Sequence, residues 1–327
     1  VGKKNPPKTS KSPKPAKAPR AAKKLRAGFV AIVGRPNVGK STLLNRVLGE
    51  KVAIVSPRPQ TTRTRILGVH TAPGLQVAFF DTPGLHRAKG TLNARMVETA
   101  LTTLSEVDTV LVLVESGTGP NGRVEVGEAT SWVIDQAKRS RKPLVLGVSK
   151  ADRGPKELLL PVIAAYQGLA PWADVVPFSS FSGENVDALL EALARTLPES
   201  DALLFPEDML TDQAERQLAA EYVREQVMLQ TRQELPYAVA VEVEEFDESE
   251  RGEGRSGLVR ISALLFVERD SQKAILIGKK GDMLKSIGTR AREGLERLLG
   301  CKVFLKLTVK VEERWSERAA SLQKLGL

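Results

Sequence analysis

One stretch restricts the fold of this 327-residue chain more than any other. Phe29-Val-Ala-Ile-Val33 is a short β-branched apolar run, followed at once by Gly34-Arg-Pro-Asn-Val-Gly39-Lys40-Ser41 and then by the helical pattern Thr42 to Leu48. Strand, glycine-bearing loop and helix, with the G-x-x-x-x-G-K-[ST] spacing intact, form a cradle for phosphate. The glycines permit backbone angles that turn successive amides inward, and the helix start adds its positive dipole end. Gly34, Asn37, Val38, Gly39 and Thr42 are therefore expected around a phosphate chain. Lys40 is expected to reach the β- and γ-phosphates, and the Ser41 hydroxyl to bind Mg²⁺.

The cradle alone leaves the nucleotide open, and the downstream motifs narrow it. Gln76-Val-Ala-Phe-Phe80 reads as another strand and ends in Asp81-Thr-Pro-Gly84. A carboxylate there can hold Mg²⁺, and Gly84 can offer its N–H to a γ-phosphate, so Asp81 to about Gly90 is expected to act as a switch segment. Between the strands, Pro59-Gln-Thr61-Thr62-Arg63 lies in a polar loop rich in turn residues. Either threonine there can complete a Mg²⁺ shell when GTP is bound, and Thr62 is favoured over Thr61. Thr109 to Val114 and Pro143 to Val148 are near-continuous apolar runs, as central strands of a covered parallel sheet require. Such strands present ligands at their C-terminal ends. The second exits into Ser149-Lys150-Ala151-Asp152. A carboxylate at Asp152 accepts both the ring N–H and the exocyclic amine of guanine, a donor pair adenine lacks, and the Lys150 stem can pack over the base plane. Val175 to Phe178 leads into Ser179-Ser180, a loop placed to close over the base.

From Leu197-Pro198 to Pro206 the α/β alternation stops in a proline- and acid-bearing connector. Asp212-Gln-Ala-Glu215 reads as a helix N-cap with a carboxylate three residues on. Two alternating segments come next, near Ala238 to Phe246 and Gly257 to Val267. Lys273 to Ile277 then precedes Gly278-Lys279-Lys280-Gly281, and Leu284, Ile287, Ala291, Leu295 and Leu298 mark one face of a helix. Two helices joined by G-x-x-G form a nucleic-acid clamp, in which the glycines admit the backbone and Lys279 and Lys280 face phosphates; Lys285 and Arg290 extend the basic surface. Between Lys273 and Lys310 there are ten basic and three acidic residues. The last strand, Lys302 to Val311, alternates with Val303, Leu305, Leu307, Val309 and Val311 inward.

These motifs together resemble the translation-factor-related GTPases. Within them, Pro59 to Arg63, Asp81-Thr-Pro-Gly-Leu-His86 and the Gly278 to Gly281 segment resemble the Era family. The resemblance covers about residues 28 to 325. It implies an α/β P-loop GTPase domain with a mostly parallel sheet over 28–200, followed by a small α+β type II KH RNA-binding domain over 201–327. It implies GTP/GDP and Mg²⁺ as cofactors, with Ser41, Thr62 and Asp81 at the metal and Lys40, Thr62 and Gly84 catalytic. The implied partners are ribosomal RNA near the 3′ end of the small-subunit RNA and the small ribosomal subunit during its assembly. A monomer in the cytoplasm, at most peripheral to the inner membrane, completes the expectation. The family carries asparagine where this chain has Ser149, an amide that bonds guanine and ties the base loop to the phosphate loop; a shorter hydroxyl keeps only part of this, so weaker nucleotide binding is expected. The family's Ser-Ala in place of Ser179-Ser180 is a milder change, and neither touches the phosphate chemistry. Leu85 comes directly after Gly84, where some GTPases place a water-orienting glutamine, so unassisted turnover is expected on the order of 10⁻³ s⁻¹ or below.

Composition sharpens the boundaries. Residues 1–27 hold ten of the 49 basic residues and no acid, leaving the remaining 300 residues with 39 basic and 39 acidic groups. With five prolines and almost no large apolar residue, this tail is expected to be a disordered polycation, either a solubilising extension, an organellar leader or an RNA-gathering arm. One cysteine, Cys301, excludes an internal disulfide, and two histidines, His70 and His86, leave no zinc cluster and argue against a histidine-dependent triad. No run approaches 18 apolar residues, which reads as a soluble, non-secreted protein. The competing readings are a nucleotide-independent RNA-binding module, a GTPase coupled to RNA modification, and a small-molecule kinase.

Overall fold

The alternation of apolar and glycine-bearing segments builds two sheets in the computed structural model, which describes residues 24–86, 90–117, 124–252 and 257–327. The first half contains β1 (Arg26–Gly34), α1 (Lys40–Leu48), β2 (Ile66–Ala72), β3 (Leu75–Asp81), α2 (Thr91–Glu106), β4 (Thr109–Glu115), α3 (Glu128–Arg139), β5 (Leu144–Ser149), α4 (Leu159–Gln167), β6 (Trp172–Pro177) and α5 (Val186–Thr196). They form one six-stranded sheet in the order β2-β3-β1-β4-β5-β6. Only β2 runs antiparallel, against β3; the other pairings are parallel. Both faces are covered, which is why the central strands read as unbroken apolar runs. Val30 and Ile32 of β1 pack with Leu43, Leu44, Leu189 and Leu193 on one side. Ala31 and Val33 pack with Ala100, Leu104, Val133 and Ile134 on the other. Each of these buried Val, Ile and Leu side chains contributes about 1.5–3 kcal/mol.

The second half contains α6 (Glu215–Gln230), α7 (Leu235–Ala238), β7 (Ala240–Glu250), β8 (Leu258–Val267), α8 (Asp270–Ile277), α9 (Asp282–Leu299), β9 (Lys302–Val311) and α10 (Ala319–Lys324). Its sheet has the order β7-β8-β9, with β7 antiparallel and β9 parallel to β8. The core lies between this sheet and α6 and α9: Val223, Val227, Leu265, Ile287, Ala291 and Leu295 are each 0–1% exposed.

Three sequence expectations change. β1 begins at Arg26, so Arg26 and Ala27 belong to the sheet and not to the tail; Ala27 is buried, and the Arg26 guanidinium donates to Leu197 O at 2.6 Å. β2 has no counterpart among the strands expected from the sequence. The helix expected to be capped by Asp212 starts instead after Ala214, with no side-chain cap, because the preceding residues are strapped to β2. Thr211 Oγ1 donates to Leu67 O at 2.7 Å, and Val69 N–H donates to Leu210 O at 2.8 Å. Residues 1–23 of the basic tail and 87–89 of the expected switch segment lie outside the described residues.

Candidate functional site

β1 delivers its C-terminal end to a loop that turns into α1 through Gly39, whose φ of 106° an L side chain rarely adopts. No side chain caps α1, so its first amides remain available to an anion. A small cavity of about 70 Å³ opens there, lined by Pro36, Asn37, Gly39, Lys40, Ser41 and Thr42 from the loop and helix, by Ile54 to Ser56 and Gln60 to Thr62, and by Gly84. Lys40 is buried, its ammonium donating to Arg35 O at 3.3 Å. Burial pulls its pKa below the usual lysine value, and the Asp81 carboxylate opposes that shift. The same burial raises the pKa of Asp81, against the pull of Lys40, Ser41 and Thr62.

Three expected metal residues converge. Ser41 Oγ donates to Asp81 Oδ2 at 2.5 Å, and Thr62 Oγ1 lies 2.9 Å from Ser41 Oγ and 3.3 Å from Asp81 Oδ2. Asp81 Oδ1 is buried without a hydrogen-bond partner, a costly arrangement that a hard cation would relieve. This donor set of one carboxylate and two hydroxyls fits Mg²⁺. The Thr61 hydroxyl is held instead by Ser56 Oγ and Arg58 O, each at 2.8 Å, so of the two threonines it is Thr62 that meets Ser41 and Asp81. Gly84 is fixed by proximity: a Cβ there would stand 2.8 Å from Pro36 N and Cγ. Leu85 is fully buried, its N–H donating to Gly34 O at 3.1 Å, and contributes no polar group to the cavity. Gln60, which lines the cavity and lies 3.3 Å from His86 Nε2, was not among the expected site residues.

The expected base loops are held rigidly. Ser179 is buried, its N–H donating to Glu184 O and its Oγ accepting from Ser182 N. Arg46 of α1 donates to Ser182 O at 3.0 Å, clamping the loop that contains Ser180. Lys150 adopts a φ of 59° and pairs with Glu115 at 2.7 Å, and Asp152 is exposed; neither these two nor Ser149, Ser179 and Ser180 line the cavity at the phosphate loop. The Ser149 hydroxyl faces Val38 O at 2.7 Å and Val114 O at 3.0 Å. A hydroxyl has one proton, so it serves one of these carbonyls and keeps none for a base. The tie from β5 to the phosphate loop therefore survives in this chain without a base donor. Ser149→Ala is expected to weaken GTP and GDP equally, by about 2- to 12-fold for one lost hydrogen bond, with no change in the rate of bound GTP hydrolysis. Parallel calorimetric and single-turnover measurements check this; a loss confined to GTP would contradict it.

In the second sheet's domain, α8 and α9 are joined through Gly278 (φ 76°), Lys280 (φ 53°) and Gly281 (φ 87°), with Lys279 and Lys280 exposed. A cleft of about 390 Å³ runs beside the joint, lined by Gly281, Leu284, Lys285, Gly288, Thr289 and Arg292 of α9 and by Leu305 and Leu307 of β9. Lys285, one of the expected basic residues, lines this cleft. Arg290 does not line the cleft: two residues from Gly288 and from Arg292, it faces another side of α9, and Arg292 takes that place. The i, i+4, i+7 spacing of Lys285, Thr289 and Arg292 on one helix stripe was the available signal.

Buried charges that sequence reading missed hold the 51–63 segment, which walls the phosphate cavity, against α6 and the residues after it. Arg224 and Glu225 of α6 are 3% and 4% exposed. Arg224 donates to Thr61 O at 2.5 Å; Glu225 accepts from Lys51 Nζ at 2.5 Å and from Val55 N–H at 3.0 Å. From the other side, Arg58 donates to Met228 O and Thr231 O, and Arg63 to Val239 O and Tyr237 O.

A family model described as 50S ribosome-binding GTPase matches residues 29–150, and one described as KH domain matches residues 234–316. The chain is 51% identical to GTPase Era of Geobacter metallireducens, over 92% of this chain and 97% of the relative. It is 46% identical to GTPase Era of Lacticaseibacillus paracasei, over 92% and 96%. A solved structure of Era with MgGDPNP and nucleotides 1506–1542 of 16S ribosomal RNA superposes with a TM-score of 0.85 at 40% identity, covering 92% of this chain and 99% of that one. A variant of Aquifex aeolicus Era bound to GDP.AlF4⁻ gives 0.84 at the same identity. Identity of this extent, over nearly the whole of each relative, settles what the phosphate cradle and the basic groove belong to: the chain is a member of the Era family of GTPases, working with GTP, GDP and Mg²⁺.

Proposed function

We propose that this GTPase gates the binding of small-subunit ribosomal RNA in the cleft beside Gly278 to Gly281, and that it acts in assembly of that subunit as a cytoplasmic monomer, at most peripheral to the membrane. The observation that carries the gating is the set of buried contacts between residues 51–63 and α6, because those residues include both Thr62 and the wall of the phosphate cavity. The solved Era complex with a 16S fragment supports the choice of RNA.

In this reading the amides from Gly34 to Thr42 and the Lys40 ammonium orient the phosphates and stabilise charge that develops on the leaving β-phosphate. Mg²⁺, when bound through Ser41, Thr62 and Asp81, supplies further neutralisation of phosphate charge. Asp152 selects guanine, with Lys150, Ser179 and Ser180 around the base. Gly84 brings its N–H toward the γ-phosphate, and since Leu85 is buried, water is oriented by backbone groups and not by the next side chain. Replacing GTP by GDP removes the group that draws Thr62 and Gly84 inward. The displacement of residues 55–63 is then passed to α6 through Arg224 and Glu225. A ligand shifts this equilibrium only by its differential affinity for the two arrangements.

Crosslinking the protein to RNA with a GTP analogue, with GDP and without nucleotide, and mapping contacts around Gly278 to Gly281, tests the gating. Contacts at Lys279, Lys280 and Lys285 are expected to change between the analogue and GDP. Identical maps in all three states would leave RNA binding intact and remove the switch.

A further inference from the structure

β9 is an edge strand, paired among the described residues with β8 alone. Its inward residues Leu305 and Leu307 line the cleft beside α9, while Lys302, Phe304, Lys306, Thr308 and Lys310 stand exposed on the opposite face. A single exposed phenylalanine is ordinary, but Phe304, 54% exposed, sits between two lysines about 6.7 Å away along the strand. The parallel register sets Arg260 of β8 beside Phe304 and Ser262 beside Lys306. Among the described residues neither Lys306 nor Lys310 has an ion-pair partner, and Lys302 reaches Glu296 only at 3.8 Å. The far end of the face is closed, since Phe266, opposite Lys310, is buried with Trp315 and Leu322. On the other margin β7 sets Glu245 and Asp247 opposite Ser262 and Arg260. Those acids repel a polyanion and confine it to the β9 side.

We propose that the outer face of β9 from Lys302 to Lys306 is a second contact for single-stranded RNA, continuing the track that begins in the cleft. One base stacks on Phe304, and phosphates on either side meet Lys302 and Lys306. The two surfaces meet at one sheet margin with no strand between them, so a chain leaving the cleft crosses that margin directly. Stacking and phosphate contacts of this kind accept any base, so the segment lengthens the footprint without adding a sequence requirement. The inference rests on RNA occupying the cleft. Its rival is that edge lysines only block sheet-to-sheet pairing.

The test titrates the full chain with labelled single-stranded RNA of two lengths: about five nucleotides, which suffices for a clamp of about four, and about twelve. Phe304→Ala is expected to weaken the longer RNA about 5- to 100-fold, Lys306→Gln to weaken it about 5-fold at 0.1 M salt, and both to leave the shorter unchanged. Lys306→Gln is also expected to flatten the salt dependence for the longer RNA by about 0.7 of a charge-release step. Equal affinity of both variants and wild type for the longer RNA overturns the proposal, whether or not the variants self-associate. Loss on both lengths overturns it as well, because it marks damage to the fold. Failure of the wild type to bind either RNA, or of Lys280→Ala to weaken both, instead sinks the reading of the cleft itself.

Discussion

Lys40→Ala is expected to slow single-turnover GTP hydrolysis by about 10²–10³-fold, the cost of removing one preorganised charge-stabilising donor. Lys40 as a whole is 6% exposed and stands at the first position of α1. Burial disfavours its charge in the free protein, and Asp81 compensates only in part. A triphosphate completes that compensation, so the interaction strengthens as negative charge moves onto the leaving group. GDP binding, which lacks the γ-phosphate, is expected to suffer less than hydrolysis. Lys40→Met, which preserves the apolar stem, separates the loss of charge from the loss of packing. Phosphate release that does not depend on Lys40 would support the nucleotide-independent RNA module in place of the switch.

Arg63→Ala is expected to loosen the contact between the two domains more than any other single change in the 51–63 segment. The guanidinium is buried, donates to Val239 O and Tyr237 O at 2.8 Å each, and stacks 5.6 Å from the Trp315 ring. Two charge-assisted hydrogen bonds at about 1.5–3 kcal/mol each make the expected loss about 3–6 kcal/mol. Burial and the nearby Arg224 cation act against the charge of Arg63, and Glu221 offsets part of that, so the site tolerates the charge only through its fixed partners. Lysine should not rescue, because a single ammonium cannot reproduce the forked geometry that spans two carbonyls. Thermal unfolding should change from one transition to two, with RNA affinity no longer responding to nucleotide. A single unshifted transition with the nucleotide response retained would contradict this role.

The range of each interaction along the chain decides whether the sequence revealed it. The phosphate loop, β1 and the central strands were legible because the chemistry of each lies within a dozen residues. β2 was hidden because Gly68 and His70 break the apolar alternation of Ile66 to Ala72; Gly68 exists for packing, as a Cβ there would stand 2.6 Å from Leu44 Cδ1. Arg224 and Glu225 read as ordinary charges on a helix, and only the placement of the 51–63 loop against α6 shows that both are buried. The difference between Arg290 and Arg292 is a matter of helix phase against β9, a partner that the local pattern does not identify. The weaker nucleotide binding expected from Ser149 was legible as a departure from the family, but the hydroxyl's partner was not, since the bond to Val38 O joins residues 111 positions apart.

The most direct measurement of the central claim is the affinity of the full chain for a 16S 3′-end fragment with a nonhydrolysable GTP analogue, with GDP and without nucleotide, in one buffer and salt. A difference of about 5- to 150-fold between analogue and GDP, the usual span of coupling between two sites, is the expected result. The RNA should shift the analogue's affinity by the same factor, because such coupling is reciprocal. Equal RNA affinity in all three states would mean that the phosphate pocket and the cleft work independently, and would contradict the account.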